Sequence, residues 1–294
     1  MANECGTNNR NTGKSRCAYD WGLFKKTIVT PVNAVYTGLD DNNQPITFDE
    51  WIMNGIHAAN PADRFYPMPN FSDSVSTTED RTTYTNAYGQ TFVIKEGNKG
   101  MTQAYNQDYC LSNRLASFND GMSRRVIIID SNKRAWGCEK ADDSFAGYEA
   151  KIFCSSADIV QPTEVPEPTI DYSFLEPEEF VTKKTITLDV RVSEIDGLED
   201  VEMVVTEAGA NKEIRFFNDC GNADVTSEMA AISGEAECWL LNGTSTTPAP
   251  TYSGGKFTVS STVLSSGKFT LAKPDVLFKA GLTFKECMNV VNLS

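Results

Sequence analysis

Hydrophobic residues recur along the chain in short runs that polar turn clusters separate. The apolar run at 126–129 is followed by an Asp-Ser-Asn-Lys turn and by Trp136-Gly137, a pattern typical of a tight hairpin with a buried first strand. Residues 147–154 and 185–192 alternate between apolar and polar positions, as strands buried on one face do. This periodicity predicts a fold built mainly of β-strands.

Two segments have helical spacing instead. Thr47 and Glu50 form a capping-box pattern, and apolar residues then recur at helical intervals, which predicts a helix over 48–59. Asn60-Pro61 ends that helix. A second helix is predicted over 108–118, with Asn-Asp-Gly after it as a stop signal. The fold class is therefore mainly β with two short helices, an α+β chain.

A Thr/Ser-rich strand over 74–84, the turn Ala-Tyr-Gly-Gln at 87–90 and a second strand over 91–95 predict one long hairpin. Its first strand is polar, prone to β-structure and poor in aliphatic groups, so we expect it to pair its backbone with another subunit. The alternative is an ordinary hairpin on the subunit's own sheet. The residues predicted to drive assembly are Thr77, Thr78, Thr82, Thr83, Tyr84 and Thr85.

Three prolines and a loss of periodicity at 162–168 predict a linker between two domains. The expected organisation is an N-terminal arm at 1–20, a domain at 21–161, the linker, and a second domain at 169–294. Beyond the linker, short strands spaced by turn signals predict a β-sandwich. These strands are predicted at 185–192, 201–205, 214–218, 238–241, 256–260, 268–272, 276–278 and 287–291.

The net charge of the chain argues against anionic binding partners. Its 294 residues include 40 acidic and 26 basic side chains, a net charge of −14. Such a surface repels phosphate backbones and anionic membranes, which argues against a protein that grips nucleic acid. No apolar stretch is long enough for a transmembrane helix, and the N-terminus lacks the apolar core of a secretory signal. We therefore expect no membrane association and folding in the cytosol of the producing cell.

The cysteines and the single histidine, His57, give little support for a metal site. None of the eight cysteines forms a Cys-x-x-Cys pair, which makes a structural zinc site a poor interpretation. In a reducing cytosol most of these thiols should be small buried apolar groups. Cys5 and Cys17 bracket a segment that cannot build a core, so a disulfide between them is one possible stabiliser. His57 is expected to be a structural residue at the edge of the first helix.

Motifs that would indicate an enzyme are missing from the sequence. It contains no glycine-rich phosphate loop, no zincin helix and no nucleophile elbow. Acidic clusters at 40–42 and 176–179 raise calcium binding or glycosidase chemistry as alternatives, but solvated acidic loops explain them better. We therefore predict no catalytic residues, no cofactor and no metal.

Residues 75–154 resemble bacteriophage tail tube proteins. The similarity lies in the long hairpin, a helix, the apolar strand with its Asp-Ser-Asn turn, then Trp136-Gly137 and Gly147-Tyr148. The segment from Cys5 to Cys17 is similar to openings of virion proteins from phages of Bacteroidota. Residues 252–293 are similar to immunoglobulin-like modules appended to virion proteins.

The resemblance implies a tail-tube-like β-barrel or sandwich domain followed by an immunoglobulin-like β-sandwich. It implies a virion structural protein, assembled in the cytoplasm of the bacterial host, that forms stacked tail rings with six copies expected per ring. Its partners would be itself and other virion proteins, and DNA would pass an acidic lumen without sequence-specific binding. The alternatives are a capsid decoration or neck protein, an immunoglobulin-like surface binding module and, last, an enzyme.

Overall fold

The computed structural model describes residues 22–40, 42–106, 109–155 and 167–293. The chain is mainly β, as the periodicity predicted. It divides into two compact units: unit 1 comprises Met1–Gly55 and Ala62–Asp196, and unit 2 comprises Ile56–Pro61 and Gly197–Ser294. Within the described ranges, no helix has the length and apolarity needed to cross a bilayer.

Unit 1 is built on strands with two α-helices. In chain order its strands are β1 (Phe24–Pro31), β2 (Tyr66–Pro67), β3 (Asp73–Ser76), β4 (Thr82–Thr85), β5 (Thr91–Lys95), β6 (Lys99–Ala104), β7 (Ser123–Asp130), β8 (Arg134–Glu139), β9 (Phe145–Ala146), β10 (Tyr148–Cys154), β11 (Thr169–Phe174) and β12 (Lys183–Thr187). The helices are α1 (Phe48–Ile56), whose last residue is counted in unit 2, and α2 (Tyr109–Ala116). Short 3-10 helices lie at Pro61–Asp63, Pro177–Phe180 and Val192–Glu194.

The ten-stranded sheet of unit 1 is organised around β7. Its order is β12-β8-β7-β10-β11-β6-β3, with β1 also on β7, β2 on β1, and β9 on β8. One side of β7 pairs with β1, while its other side is shared between β10 near its start and β8 near its end. Gly147 lies just before β10, against the backbone of Val126 in β7. A side chain there would meet the Val126 backbone at 2.8 Å, so this close approach requires glycine.

Helix α1 begins as the capping pattern predicted. The Thr47 hydroxyl accepts the Glu50 N–H at 3.2 Å, and a Glu50 carboxylate oxygen accepts the Thr47 N–H at 2.9 Å. These two bonds satisfy donors that the first helical turn leaves without partners. The helix ends at Ile56, before the predicted end at residue 59.

The predicted domain boundary at 162–168 is wrong. Residues 156–166 lie outside the described residues, but the chain that follows them still belongs to unit 1. Strand β11 pairs with β10 on one side and with β6 on the other, and β12 then pairs with β8. Unit 1 therefore runs to Asp196, because these long-range pairings return the chain to its first sheet after the proline-rich segment.

This topology predicts that a cut in the proline-rich segment will not divide the protein. With a protease site inserted within 156–166, the cleaved chain should migrate as one particle in size-exclusion chromatography. Every residue of β11 pairs with β6, so the second fragment stays attached through its backbone. A denaturing gel should show two fragments from that single peak, and separation under native conditions would contradict the pairing.

Unit 2 contains two sheets and one α-helix. Its strands are β13 (Glu199–Ala208), β14 (Asn211–Asn218), β15 (Trp239–Leu241), β16 (Thr244–Ser245), β17 (Thr251–Ser253), β18 (Lys256–Ser260), β19 (Gly267–Leu271), β20 (Lys285–Glu286) and β21 (Val291–Leu293). Helix α3 is Pro274–Lys279, and short 3-10 helices lie at Glu228–Ile232 and Ala236–Cys238. One sheet has the order β17-β18-β14-β13-β20, and the other has the order β16-β15-β19-β21.

A single aromatic-rich core joins the two sheets of unit 2. Phe216 and Phe257 come from the five-stranded sheet, and Trp239 and Phe269 come from the four-stranded sheet. The Trp239 and Phe257 rings meet edge to face with centroids 5.0 Å apart. The two layers therefore share one interior, which is consistent with the β-sandwich class predicted for this half of the chain.

The end of unit 2 departs from the sequence prediction in two places. Residues 276–278, predicted as a strand, lie in α3, where Pro274 occupies the first turn, a position that favours a helix start. The predicted strand at 287–291 is replaced by β20 before it and β21 at its end. Short apolar runs do not distinguish a strand from a helical turn, and the Lys-Pro-Asp sequence was the stronger signal.

Candidate functional site

The outer half of the predicted hairpin forms a two-stranded ribbon of its own. Among the strands that the structure describes, β4 and β5 pair only with each other, as a sheet separate from the ten-stranded one. Every residue of both strands is exposed. The inner half, β3 and β6, belongs to the large sheet. The sequence-predicted hairpin therefore has a base within unit 1 and an outer ribbon without a core beneath it.

The turn that closes the ribbon lies where the sequence predicted it. The Asn86 side-chain oxygen accepts the N–H groups of Tyr88 and Gln90, each at 3.0 Å. The Asn86 N–H donates to the Gln90 carbonyl at 2.9 Å, and Gly89 has a φ of +79°. That left-handed conformation favours glycine, and the bonds hold the tip in one shape.

Not all six predicted assembly residues lie in the ribbon. Thr82, Thr83, Tyr84 and Thr85 form β4 itself. Thr77 instead extends the base, since its N–H donates to the Gly100 carbonyl at 3.0 Å. Thr78 follows it in the connection between base and ribbon, where the Ser76 hydroxyl donates to the Thr78 hydroxyl at 3.1 Å.

The two faces of the ribbon differ in chemistry. Tyr84 pairs directly with Phe92, so both rings lie on one face, and Ile94 follows where the register shifts between Thr82 and Thr83. These three side chains are 57%, 52% and 67% exposed. The opposite face carries Thr85 and Thr91, whose hydroxyls lie 2.9 Å apart, and Val93, which is 49% exposed. The ribbon thus exposes an aromatic pair on one face and a face with more threonine on the other.

Sequence reasoning missed these exposed apolar side chains. The threonines of β4 were predicted to drive assembly, and β5 was predicted only as the returning strand. The apolar run Phe92-Val93-Ile94 stands in the sequence, but such a run ordinarily indicates a strand buried on the subunit's own sheet. Only the structure shows that this run is exposed. Residues 82–94 also contain no charged side chain, and the charge nearest to the tip on β5 is Lys95 at the end of that strand.

Thr83 and Thr85 direct their backbone groups away from β5. The Asn86 N–H bonds to Gln90, so those two residues form a hydrogen-bonded pair. Along two antiparallel strands, residue pairs that exchange backbone hydrogen bonds alternate with pairs that do not. Counting from Asn86–Gln90, the pairs Thr85–Thr91 and Thr83–Val93 are therefore not hydrogen-bonded to each other. The outer edge of β4 therefore offers N–H and C=O groups to an additional strand.

Other candidate sites from the sequence have structural roles. His57 is buried, accepts the Phe284 N–H at 3.1 Å through Nε2, and stacks on the Phe278 ring at 4.1 Å. In the acidic cluster at 40–42, one Asp40 carboxylate oxygen accepts the N–H groups of Asn42 and Gln44. Considering the described ranges alone, no group of three or more His, Cys, Asp or Glu is arranged to hold a metal ion.

The cysteines depart in part from expectation. Four are free and buried: Cys138, Cys154, Cys238 and Cys287. Burial raises the pKa of all four thiols, to about 12 for Cys154 and about 11 for Cys238 and Cys287, so they remain protonated at neutral pH. Cys110 and Cys220 were expected to be buried thiols, and this is wrong: both are half-buried and disulfide-bonded. Cys5 and Cys17 lie outside the described residues.

No protein-family model matches the chain, and no curated protein sequence matches it. The chemistry of the exposed ribbon is that of a surface for association, since it offers unpaired strand edges and exposed apolar side chains.

Proposed function

We propose that this chain is a structural subunit that assembles with copies of itself into rings, and that stacked rings form a bacteriophage tail tube. The observation that carries the proposal is the β4–β5 ribbon, which is exposed along both strands and uncharged from residue 82 to residue 94. An isolated two-stranded ribbon is marginally stable in water, so a partner surface would stabilise it.

The charge of the chain supports the same role. A conduit for DNA must not bind DNA, and a subunit with a net charge of −14 repels phosphate groups. In this proposal DNA passes an acidic lumen, and the protein works in the virion tail beside other virion proteins. Unit 1 supplies the tube-like wall and unit 2 is the appended immunoglobulin-like module, a division that the two-layered core of unit 2 supports.

The test is to remove the outward donors of β4. Replacing Thr83 and Thr85 together by proline eliminates two N–H groups that do not bond to β5, so the ribbon itself should survive. We expect a folded monomer that forms no rings or tubes. Negative-stain microscopy and sedimentation of the purified protein measure assembly, and circular dichroism measures folding.

The matched control is Thr83→Val with Thr85→Val, which removes both hydroxyls but keeps both donors. This variant should assemble as the original protein does, because strand pairing uses the backbone. Normal rings from the proline variant would refute the assembly role of the ribbon. If the valine variant is monomeric, assembly depends on the threonine hydroxyls and not on the backbone donors.

A further inference from the structure

Unit 1 contains a groove of about 1100 Å³ beside strand β3. Its apolar lining includes Leu23, Phe24, Phe71, Met101, Ile128 and Phe174. The Phe24 and Phe71 rings stack within it, with centroids 4.7 Å apart. Two of the apolar residues that line the groove, Leu23 and Val181, are 75% and 80% exposed. Exposed apolar side chains grouped in this way are typical of interaction sites.

The charge of the groove differs from that of the whole chain. Four cationic side chains, Lys25, Arg81, Lys99 and Lys183, line it together with three acidic ones. The groove is therefore close to neutral, whereas the chain as a whole carries −14. Two copies of so acidic a protein repel each other over most of their surfaces. They approach with least repulsion where one copy presents this groove and the other presents an uncharged segment.

One wall of the groove is an unpaired strand edge. Strand β3 ends the order of the ten-stranded sheet and pairs with β6 on one side. Because the Thr77 N–H bonds to Gly100, alternation leaves the backbone groups of Ser74 and Ser76 directed away from β6. The Asp73 carboxylate accepts the Ser74 N–H at 2.8 Å, which leaves the Ser76 N–H as the outward donor of this edge.

We propose that this groove receives the β4–β5 ribbon of a second copy. The inference rests on the proposed assembly role of the ribbon and identifies the surface on which the ribbon docks. The exposed side chains of Tyr84, Phe92 and Ile94 cover the apolar lining, and the outer edge of the ribbon pairs with β3. The ribbon carries no charge from Thr82 to Ile94 and the charges of the groove nearly balance, so the contact meets little net electrostatic repulsion.

The geometry makes the contact head-to-tail. Ribbon and groove are different surfaces of one subunit, so each docking event leaves a free groove at one end and a free ribbon at the other. Such a heterologous contact continues until it closes into a ring or extends as a filament. Strand addition at an open sheet edge, with apolar pockets for alternate side chains, is an established mode of recognition.

The experiment uses two complementary variants of the full chain. The ribbon variant carries Tyr84→Ser, Phe92→Ser and Ile94→Ser, and it keeps its groove. The groove variant carries Val181→Arg and Ser76→Pro, and it keeps its ribbon. All of the substituted side chains are exposed, and the Ser76 N–H points away from β6, so both variants should fold. Each alone should self-associate about 100-fold more weakly than the original protein, as loss of a central contact predicts.

Mixing the two variants should restore a single contact. The intact ribbon of the groove variant can dock in the intact groove of the ribbon variant, and growth then stops at a one-to-one dimer. Sedimentation of the mixture measures this directly. Controls are thermal unfolding of each variant and the exposed-residue substitution Val290→Arg in unit 2, which should leave assembly unchanged.

The outcomes separate this inference from the proposed function. A groove variant that assembles like the original protein overturns the groove assignment, as does a mixture that yields no dimer although both variants fold. In both cases the ribbon can still act on another surface. A ribbon variant that assembles normally, or an original protein that remains monomeric at high concentration, overturns the proposed function itself.

Discussion

Replacing Trp239 by alanine should lower the free energy of unfolding of unit 2 by about 4 kcal/mol, the loss typical of deleting a large buried aromatic side chain. Trp239 is fully buried. Its ring contacts Phe257, Phe269 and Phe216 at centroid distances of 5.0, 6.0 and 6.1 Å. It therefore packs where the two sheets meet, and its removal leaves a cavity among three aromatic rings.

A second variant separates packing from hydrogen bonding at the same position. The Trp239 Nε1–H donates to the Ile232 carbonyl at 3.0 Å. Trp239→Phe keeps an aromatic ring but leaves that buried carbonyl without its donor, so we expect a smaller loss of about 2 kcal/mol. Urea unfolding, with hydrogen exchange of the unit 2 strands as the local readout, measures both variants. A loss below about 1 kcal/mol for Trp239→Ala would show that the core repacks freely.

The elements that were predicted correctly are those specified by neighbouring residues. The capping box at Thr47 and Glu50 forms between residues three apart, and the turn at Asn86 is closed by bonds within five residues. Capping boxes and turns can be predicted from the sequence, because their hydrogen bonds depend little on the rest of the fold. Strands with clear alternation, such as β10, were found for the same reason.

The features that were missed depend on contacts between distant residues. Strand β11 belongs to the first sheet because it pairs with β6 and β10. No local pattern in residues 162–168 indicates that the chain after them rejoins that sheet. Phe92 and Ile94 are likewise exposed because no other described element covers their side chains. An apolar side chain in a strand predicts burial, and only the arrangement of the whole sheet decides whether a partner strand is present.

Replacing Glu179 by alanine should destabilise unit 1 by about 3 kcal/mol at neutral pH, because it removes the nearer of the two carboxylates that pair with the buried Arg125. One Glu179 carboxylate oxygen accepts hydrogen bonds from Arg125 at 3.0 Å and Lys140 at 2.7 Å, and the other accepts the Glu149 N–H at 2.8 Å. This is a small loss for a broken buried ion pair, because Arg125 keeps the Glu149 carboxylate at 3.6 Å and its hydrogen bonds to two backbone carbonyls.

The effect should depend on pH with a defined sign. Burial raises the pKa of Glu179, but the bonds from Lys140, the Glu149 N–H and Arg125 outweigh it and hold the folded-state pKa below its ordinary value. A depressed folded pKa contributes stability that is fully present above the unfolded pKa of about 4.3 and is lost as pH falls through the folded pKa. The difference between original protein and variant should therefore be constant near neutrality and shrink below about pH 4.

The same substitution connects stability to the proposed docking surface. Glu179 lies in the 3-10 helix Pro177–Phe180, and Pro177, Phe180 and Val181 line the groove. Loss of the carboxylate anchor should therefore weaken self-association at temperatures where unit 1 is still folded. Urea unfolding across pH and sedimentation at neutral pH test the two effects, with Glu176→Ala as the control, since Glu176 is exposed and caps no helix with its side chain. Equal stability losses for the two alanine variants would mean that the ion pair contributes nothing, whereas weakened association only in Glu179→Ala would tie the position of the 3-10 helix to assembly.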